Sequence, residues 1–366
     1  MISQGPTLCS PADIGLIPDR LQQAYDLLQS WVADGSVPAA SIAVSRHGQT
    51  LAPHAFGRSR FEQQERAVSA DSLFLVASVT KPLTAIAVLQ LVERGLLSLT
   101  DPVQTHIPEF TGPGKEQVKV EHLLTHTSGL PDMLADNIAL RSRQAPLSEF
   151  VEGVCRSELL FAPGTQVRYQ SMGTLLAGEL VERRTGQSLR QVMEREIFQP
   201  LQMQSSCLGL QQEFSDRTTQ VVLPEEQVGT NYHWNTDYWR TFGAPWGGLF
   251  TTAGDLMRLL LATLAGGMWQ GCRILKNETN RLMLSDRTSL LPQLDEGHRR
   301  DSRWGLGWRL GAWGERASFA SFSHGGATGT LVGADPETGL ACVLFTTKPG
   351  APLQRVLTAV QTAVIN

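Results

Sequence analysis

Between Lys81 and Arg94 the chain places Leu83, Ile86, Ala87, Val88, Leu89, Leu91 and Val92 so that every side of a helix is apolar, and Gly95 stops it. A helix without a polar face has no orientation that suits a surface, so other elements must wrap it completely. The chain can supply them: of its 366 residues 42% are apolar and 18% charged, which excludes disorder as its main character. The length fits two domains, or one large domain with an insertion.

The two ends share a character that the middle lacks. Pro18-Asp19 opens an amphipathic helix with Leu21, Tyr25, Leu28 and Trp31 at helical spacing, closing near Gly35. Residues 39–44 and 51–56 then read as a hairpin about His47-Gly48. Near the other end, residues 328–334 and 340–347 are β-rich runs around Asp335-Pro336-Glu337-Thr338-Gly339, and Leu353, Val356, Leu357, Val360 and Val364 give a last helix. Residues 172–184, 189–198, 254–265 and 277–285 between them are helical. The expected fold class is α+β: an antiparallel sheet built from both chain ends with flanking helices, plus a large, mostly helical inserted region. Residues 1–75 and 300–366 are expected to form a discontinuous sheet domain and residues 76–299 a helical one, with an active site in the cleft between them.

Lys+Arg number 31 against Asp+Glu 35, a net charge of −4 with no dense basic run, which argues against nucleic-acid or anionic-membrane partners. No apolar stretch reaches the roughly 18 residues of a membrane span. The N-terminus has no charged segment followed by an apolar one, so no signal peptide is expected and a cytoplasmic location is. Cys9, Cys155, Cys207, Cys272 and Cys342 contain no CxxC pair and read as reduced thiols. GxSxG, HExxH, Walker A and strand-linked GxGxxG are absent. His122 and His126 are four apart without an obvious third ligand, so a structural pair is preferred to a metal site, and none is expected.

Ser78-Val79-Thr80-Lys81 stands immediately before the apolar helix. Residues three apart share a helix face, which puts Lys81 beside the Ser78 hydroxyl. Pro82 fits only near a helix start, where free N–H groups favour developing negative charge. A lysine at the mouth of an apolar helix loses solvation, and its pKa falls from about 10.4 toward neutrality. The four-residue pattern alone is weak.

Further phrases strengthen it: Leu123-Leu124-Thr125-His126-Thr127-Ser128-Gly129-Leu130, Tyr169-Gln170-Ser171 after Pro163-Gly164, Gly247-Gly248-Leu249-Phe250-Thr251-Thr252-Ala253-Gly254-Asp255-Leu256, and Ser323-His324-Gly325-Gly326-Ala327. In this order they resemble the serine β-lactamase and penicillin-binding-protein superfamily, in its class C β-lactamase, D-peptidase and carboxylesterase branch, from about residue 18 to 365. The resemblance implies that Ser78 is the acylated nucleophile, Lys81 its base or proton relay, and Tyr169, rather than Tyr232 or Tyr238, the proton-transferring tyrosine. His324, Gly325 and Gly326 take the place of Lys-Thr-Gly, and the N–H groups of Ser78 and Ala327 form the oxyanion hole. No metal or organic cofactor is implied.

Two departures bear on substrate. Ser171 replaces an asparagine that holds substrate amides, and a hydroxyl offers one donor in place of a planar amide. His324 replaces a carboxylate-attracting lysine. Trp246, beside Gly247-Gly248, is expected near the pocket, while the aromatic stretch 231–246 fits either a pocket wall or a packed junction. The expected function is a carboxylesterase on short-chain esters with weak β-lactam activity. The alternatives are a class C-type β-lactamase or D-amino-acid peptidase, or a non-catalytic acyl-ligand or β-lactam sensor. The partner is a small ester, amide or β-lactam; oligomeric state is not legible.

Overall fold

The computed structural model describes residues 9–61, 64–291 and 302–365. The first eight residues, on which the signal-peptide reading rests, lie outside them, as do residues 300 and 301 at the edge of the expected sheet domain. The principal sheet runs Arg309–Leu310, Phe322–Gly326, Thr330–Asp335, Leu340–Thr346, Ala39–Arg46, His54–Phe61, Gln64–Ala67, all neighbours antiparallel, with Gln49–Thr50 on Ala39–Arg46. Its central pair joins the two ends of the chain, Ala43 lying opposite Val343.

Alternation along this pair explains why both faces are covered. Ile42, Val44, Cys342 and Leu344 point to one side, where Leu21, Leu28 and Trp31 of helix Pro18–Ala33 and Val356, Leu357 and Val360 of helix Leu353–Thr362 cover them. Ala43, Val343 and Phe345 point the other way, into the main core. There helix Thr80–Glu93 is buried on every side, as its all-apolar circumference requires, against helices Met172–Thr185 and Leu189–Met193, while helix Ala253–Leu264 packs on the sheet. Each fully buried leucine or isoleucine of that helix contributes about 1.5–3 kcal/mol.

Three local outcomes differ from the sequence reading. The strand expected at 51–56 divides into Gln49–Thr50 and His54–Phe61, because Pro53 cannot donate to the ladder. The helix expected at 189–198 changes to wider π-type turns at Glu194–Phe198. A second, small sheet, Phe74–Leu75 and Cys207–Leu208 flanking Leu249–Thr251, joins the end of the expected sheet domain to the expected helical one.

Candidate active site

Ser78 lies in a 3-10 turn, Ala77–Val79, that runs into the central helix. Ala77, just before it, has φ +46°, a left-handed conformation that costs a non-glycine residue about 1–3 kcal/mol. Surrounding contacts hold this bend. The Thr80 hydroxyl donates to the Ala77 carbonyl (2.7 Å), Val76 N–H to Leu249 (3.0 Å), and the Thr328 and Thr330 hydroxyls to the carbonyls of Leu75 and Val76 (2.6 and 3.0 Å). Gly326, at the end of its strand, faces the Val76 carbonyl so closely that a Cβ there would overlap it. The glycine lets a strand of the large sheet press against the backbone leading into Ser78.

Lys81 is only 2% exposed, and its Nζ donates to Ser78 Oγ (3.0 Å) and to the Trp246 carbonyl (3.2 Å). Burial lowers its pKa to about 7, opposed by the negative charge of Asp132. Near neutral pH a large share of these amines is therefore unprotonated, one hydrogen bond from the serine hydroxyl. The ammonium form sits over the Tyr169 ring, 4.6 Å from its centre.

Tyr169 is 37% exposed, yet its phenol reaches Ser78 through a hydrogen bond. Burial of the phenolic end pushes its pKa up, the Ser78 hydrogen bond opposes that, and the charge of Asp132 adds to it. Tyr169 is thus a neutral phenol at physiological pH, able to accept one proton while giving another. Its ring rests on His126 (centroids 4.6 Å apart), which stands edge-to-face with Trp304 (4.3 Å).

The Tyr169–Ser171 segment is registered on the 126–132 loop. Arg168 N–H donates to the His126 carbonyl (2.9 Å), Gln170 N–H to His126 Nδ1 (3.2 Å) and the Ser128 hydroxyl to Gln170 Oε1 (2.5 Å). Since Nδ1 accepts, neutral His126 carries its proton on Nε2; burial, then Lys81 and His324, keep its pKa well below the usual histidine value. Ser171 donates its hydroxyl to Asp132 Oδ1 (2.7 Å).

His324, 5% exposed, lies 6.1 Å from Tyr169 and 5.8 Å from Trp304, ring centre to ring centre. Its Nδ1–H donates to the Gly325 carbonyl (2.8 Å), leaving Nε2 as a bare lone pair. Burial, followed by the charge of Lys81, lowers its pKa to about 3, so the ring is neutral. Gly325 and Ala327 are exposed at the strand's end.

Other candidates fall outside this cluster. Trp246 meets it through its carbonyl, while its indole packs with Phe150 and Phe242 in the core. Most of the surrounding aromatic stretch does the same: Tyr238 and Trp239 pack on Phe242, and the Tyr238 hydroxyl donates to the Ala145 carbonyl (2.9 Å). The helix bearing His122 ends at Leu124, so His126, at φ +61°, does not share a helical face with it. The described cysteines are all free thiols. No group of three or more histidine, cysteine, aspartate or glutamate side chains that could hold a metal occurs among the described residues. None of the described helices is long and apolar enough to cross a membrane.

The sequence reading missed Asp132 and Trp304 as parts of the site. The signal for Trp304 was the run Trp304-Gly305-Leu306-Gly307-Trp308, whose Gly307 lies against the central helix, where a Cβ would come within 2.7 Å of Ala85 Cβ.

Comparison with known proteins gives one consistent answer. A family profile described as Beta-lactamase matches residues 24–365. A putative D-alanyl-D-alanine carboxypeptidase of Escherichia coli O157:H7 is 25% identical over 390 residues, covering 95% of this chain and 86% of that protein. Esterase EstB of Burkholderia gladioli is 36% identical over 216 residues, 55% of this chain and 54% of the esterase. Among solved structures, a family VIII carboxylesterase superposes with a TM-score of 0.76 at 21% identity, covering 98% of this chain and 99% of that one. A penicillin-binding-protein homologue from Caulobacter crescentus gives 0.75 at 23% identity, covering 94% and 97%.

Proposed function

The chain belongs to the Beta-lactamase family, and from that premise we propose that it is a serine hydrolase working through an acyl-enzyme on Ser78, with short-chain carboxylic esters as its substrates. The observation that carries this reading is the 3.0 Å contact between Ser78 Oγ and a buried Lys81 amine whose pKa lies near 7. A base with that pKa suits proton transfer at neutral pH, an effect worth about 10²–10⁴-fold in rate.

In the proposed reaction the Lys81 amine takes the Ser78 proton as Oγ bonds to the ester carbonyl carbon. The carbonyl oxygen becomes an oxyanion facing the N–H groups of Ser78 and Ala327, each such donor being worth about 2.7–4 kcal/mol. Collapse breaks the bond to the alcohol oxygen, which takes up a proton through the Tyr169 phenol. Water then attacks the acyl group, gives its proton back through Tyr169 and Lys81, and Ser78 leaves protonated with the acid released.

Esters are preferred to β-lactams for two reasons. A neutral His324 puts no cation where a β-lactam carboxylate would sit. The Ser171 hydroxyl, already donated to Asp132, gives a substrate amide no donor. A D-amino-acid peptidase is the second reading, favoured by the 95% coverage of the carboxypeptidase relative.

Purified protein offered p-nitrophenyl butyrate and nitrocefin in parallel tests the proposal, with mass spectrometry for a covalent adduct. Expected is ester turnover faster than nitrocefin turnover, an adduct on Ser78, and at least a roughly 10³-fold loss in Ser78→Ala. Faster nitrocefin turnover would overturn the substrate assignment, and an active Ser78→Ala the nucleophile.

A further inference from the structure

The hydrogen bond between Ser171 and Asp132 sets a carboxylate at the edge of the reactive cluster. Asp132 is exposed, and its Oδ1 accepts from Ser171 (2.7 Å), two residues beyond Tyr169. The loop that carries it is pinned by the Ser128–Gln170 and Gln170–His126 bonds already described and by Leu160 N–H donating to the Gly129 carbonyl (2.7 Å). No basic side chain among the described residues forms an ion pair with Asp132. Its charge nevertheless reaches the reacting groups, since both the Lys81 amine and the Tyr169 phenol respond to it. The imidazoles of the site, His126 and His324, are neutral, and the cations acting on His324 are Lys81 and, more weakly, Arg309 on the neighbouring strand.

We infer that Asp132, oriented by Ser171, is a specificity-determining carboxylate that selects esters carrying a cationic ammonium group close to the scissile carbonyl over neutral and anionic ones. The inference rests on the reading of this site as an ester-hydrolysing one and adds the substrate's charge to it. Asp132 is exposed and Ser171 takes up only one of its oxygens, so a substrate cation can approach the carboxylate from solvent. At such a half-solvated position one opposite charge a few ångströms away changes binding by about fivefold at low salt, less as ionic strength rises.

Three p-nitrophenyl esters with the same three-methylene spacer test this: 4-(trimethylammonio)butyrate, its uncharged isostere 5,5-dimethylhexanoate, and the anionic monoester of glutaric acid. The readout is the ratio of kcat/KM for the cationic ester to that for its isostere within each protein, so a general loss of activity cancels. Expected is a ratio of about five in the parent protein that falls toward one in Asp132→Asn and with added salt, the anionic ester being slowest in the parent. Binding of the same esters to Ser78→Ala, followed by calorimetry, gives the ratio without turnover. A ratio near one in the parent, or one that survives Asp132→Asn, overturns the inference while leaving Ser78-dependent hydrolysis of the neutral ester intact. If no ester is turned over, the hydrolase reading fails, and the binding ratio alone decides the role of Asp132.

Discussion

Lys81 combines stability and chemistry in a single residue. Its pKa of about 7 against about 10.4 for an exposed lysine means that folding disfavours its proton. Below pH 7 the folded state holds the charged form in the core and bears the full cost. Between 7 and about 10.4 the unfolded chain binds more protons than the folded one, so this cost fades as pH rises. Lys81→Met is therefore expected to raise thermal stability at pH 6 by the equivalent of a few kcal/mol, with the advantage shrinking toward pH 10; an unchanged or lower Tm at pH 6 would contradict it. In the parent protein kcat/KM for p-nitrophenyl butyrate should climb through about pH 7 and then level, since the amine must be unprotonated to accept the Ser78 proton; a flat profile from pH 5.5 to 8.5 would remove Lys81 as base. Ser78, Lys81 and Tyr169 were legible because their local phrases carry them. Asp132 and Trp304 were not, because each becomes part of the site only through a contact across the chain, Asp132 with Ser171 and Trp304 with His126.

Among the elements, the strand Phe322–Gly326 has the most direct hold on the chemistry. It ends on a glycine packed against the Val76 carbonyl, two residues before Ser78, and next to the strained Ala77. Gly326→Ala is expected to force the strand and the Ser78 turn apart, lowering stability by about 1–3 kcal/mol in urea unfolding and slowing acylation at least tenfold; wild-type stability and rate together would show that the two backbones need not touch. The flanking elements were readable because burial imposes a rhythm. Short apolar or β-rich runs around turn residues marked the two terminal hairpins, and the all-apolar circumference marked the central helix. Pro53 and the wide turns at Glu194–Phe198 escaped notice because neither alters the count of apolar residues. The Gly326 contact was equally hidden, since a glycine required by a neighbouring backbone looks in sequence like any glycine in a turn.

Across the whole molecule, the central strand pair and both outer helices come from opposite ends of the sequence, which meet at the Leu16–Val364 bridge and the bond from Ile17 N–H to the Ala363 carbonyl (2.8 Å). Gly271 sits in an exposed turn with nothing within 4 Å of a would-be Cβ. A chain rearranged to begin at Gly271 and end at Gln270, its original ends joined by a flexible linker, should keep Ser78-dependent ester turnover within about threefold and refold faster, because its main strand pairings become more local. An insoluble or inactive product would show that the native order of segments is required. The architecture is in effect a ring that has been nicked once. The nick falls beside the two outer helices, and the strands they lead to are neighbours in the sheet, so on the ribosome strand Ala39–Arg46 emerges early and waits unpaired on one side until Leu340–Thr346 is made. That interval is when the protein is most open to sticking to other copies of itself.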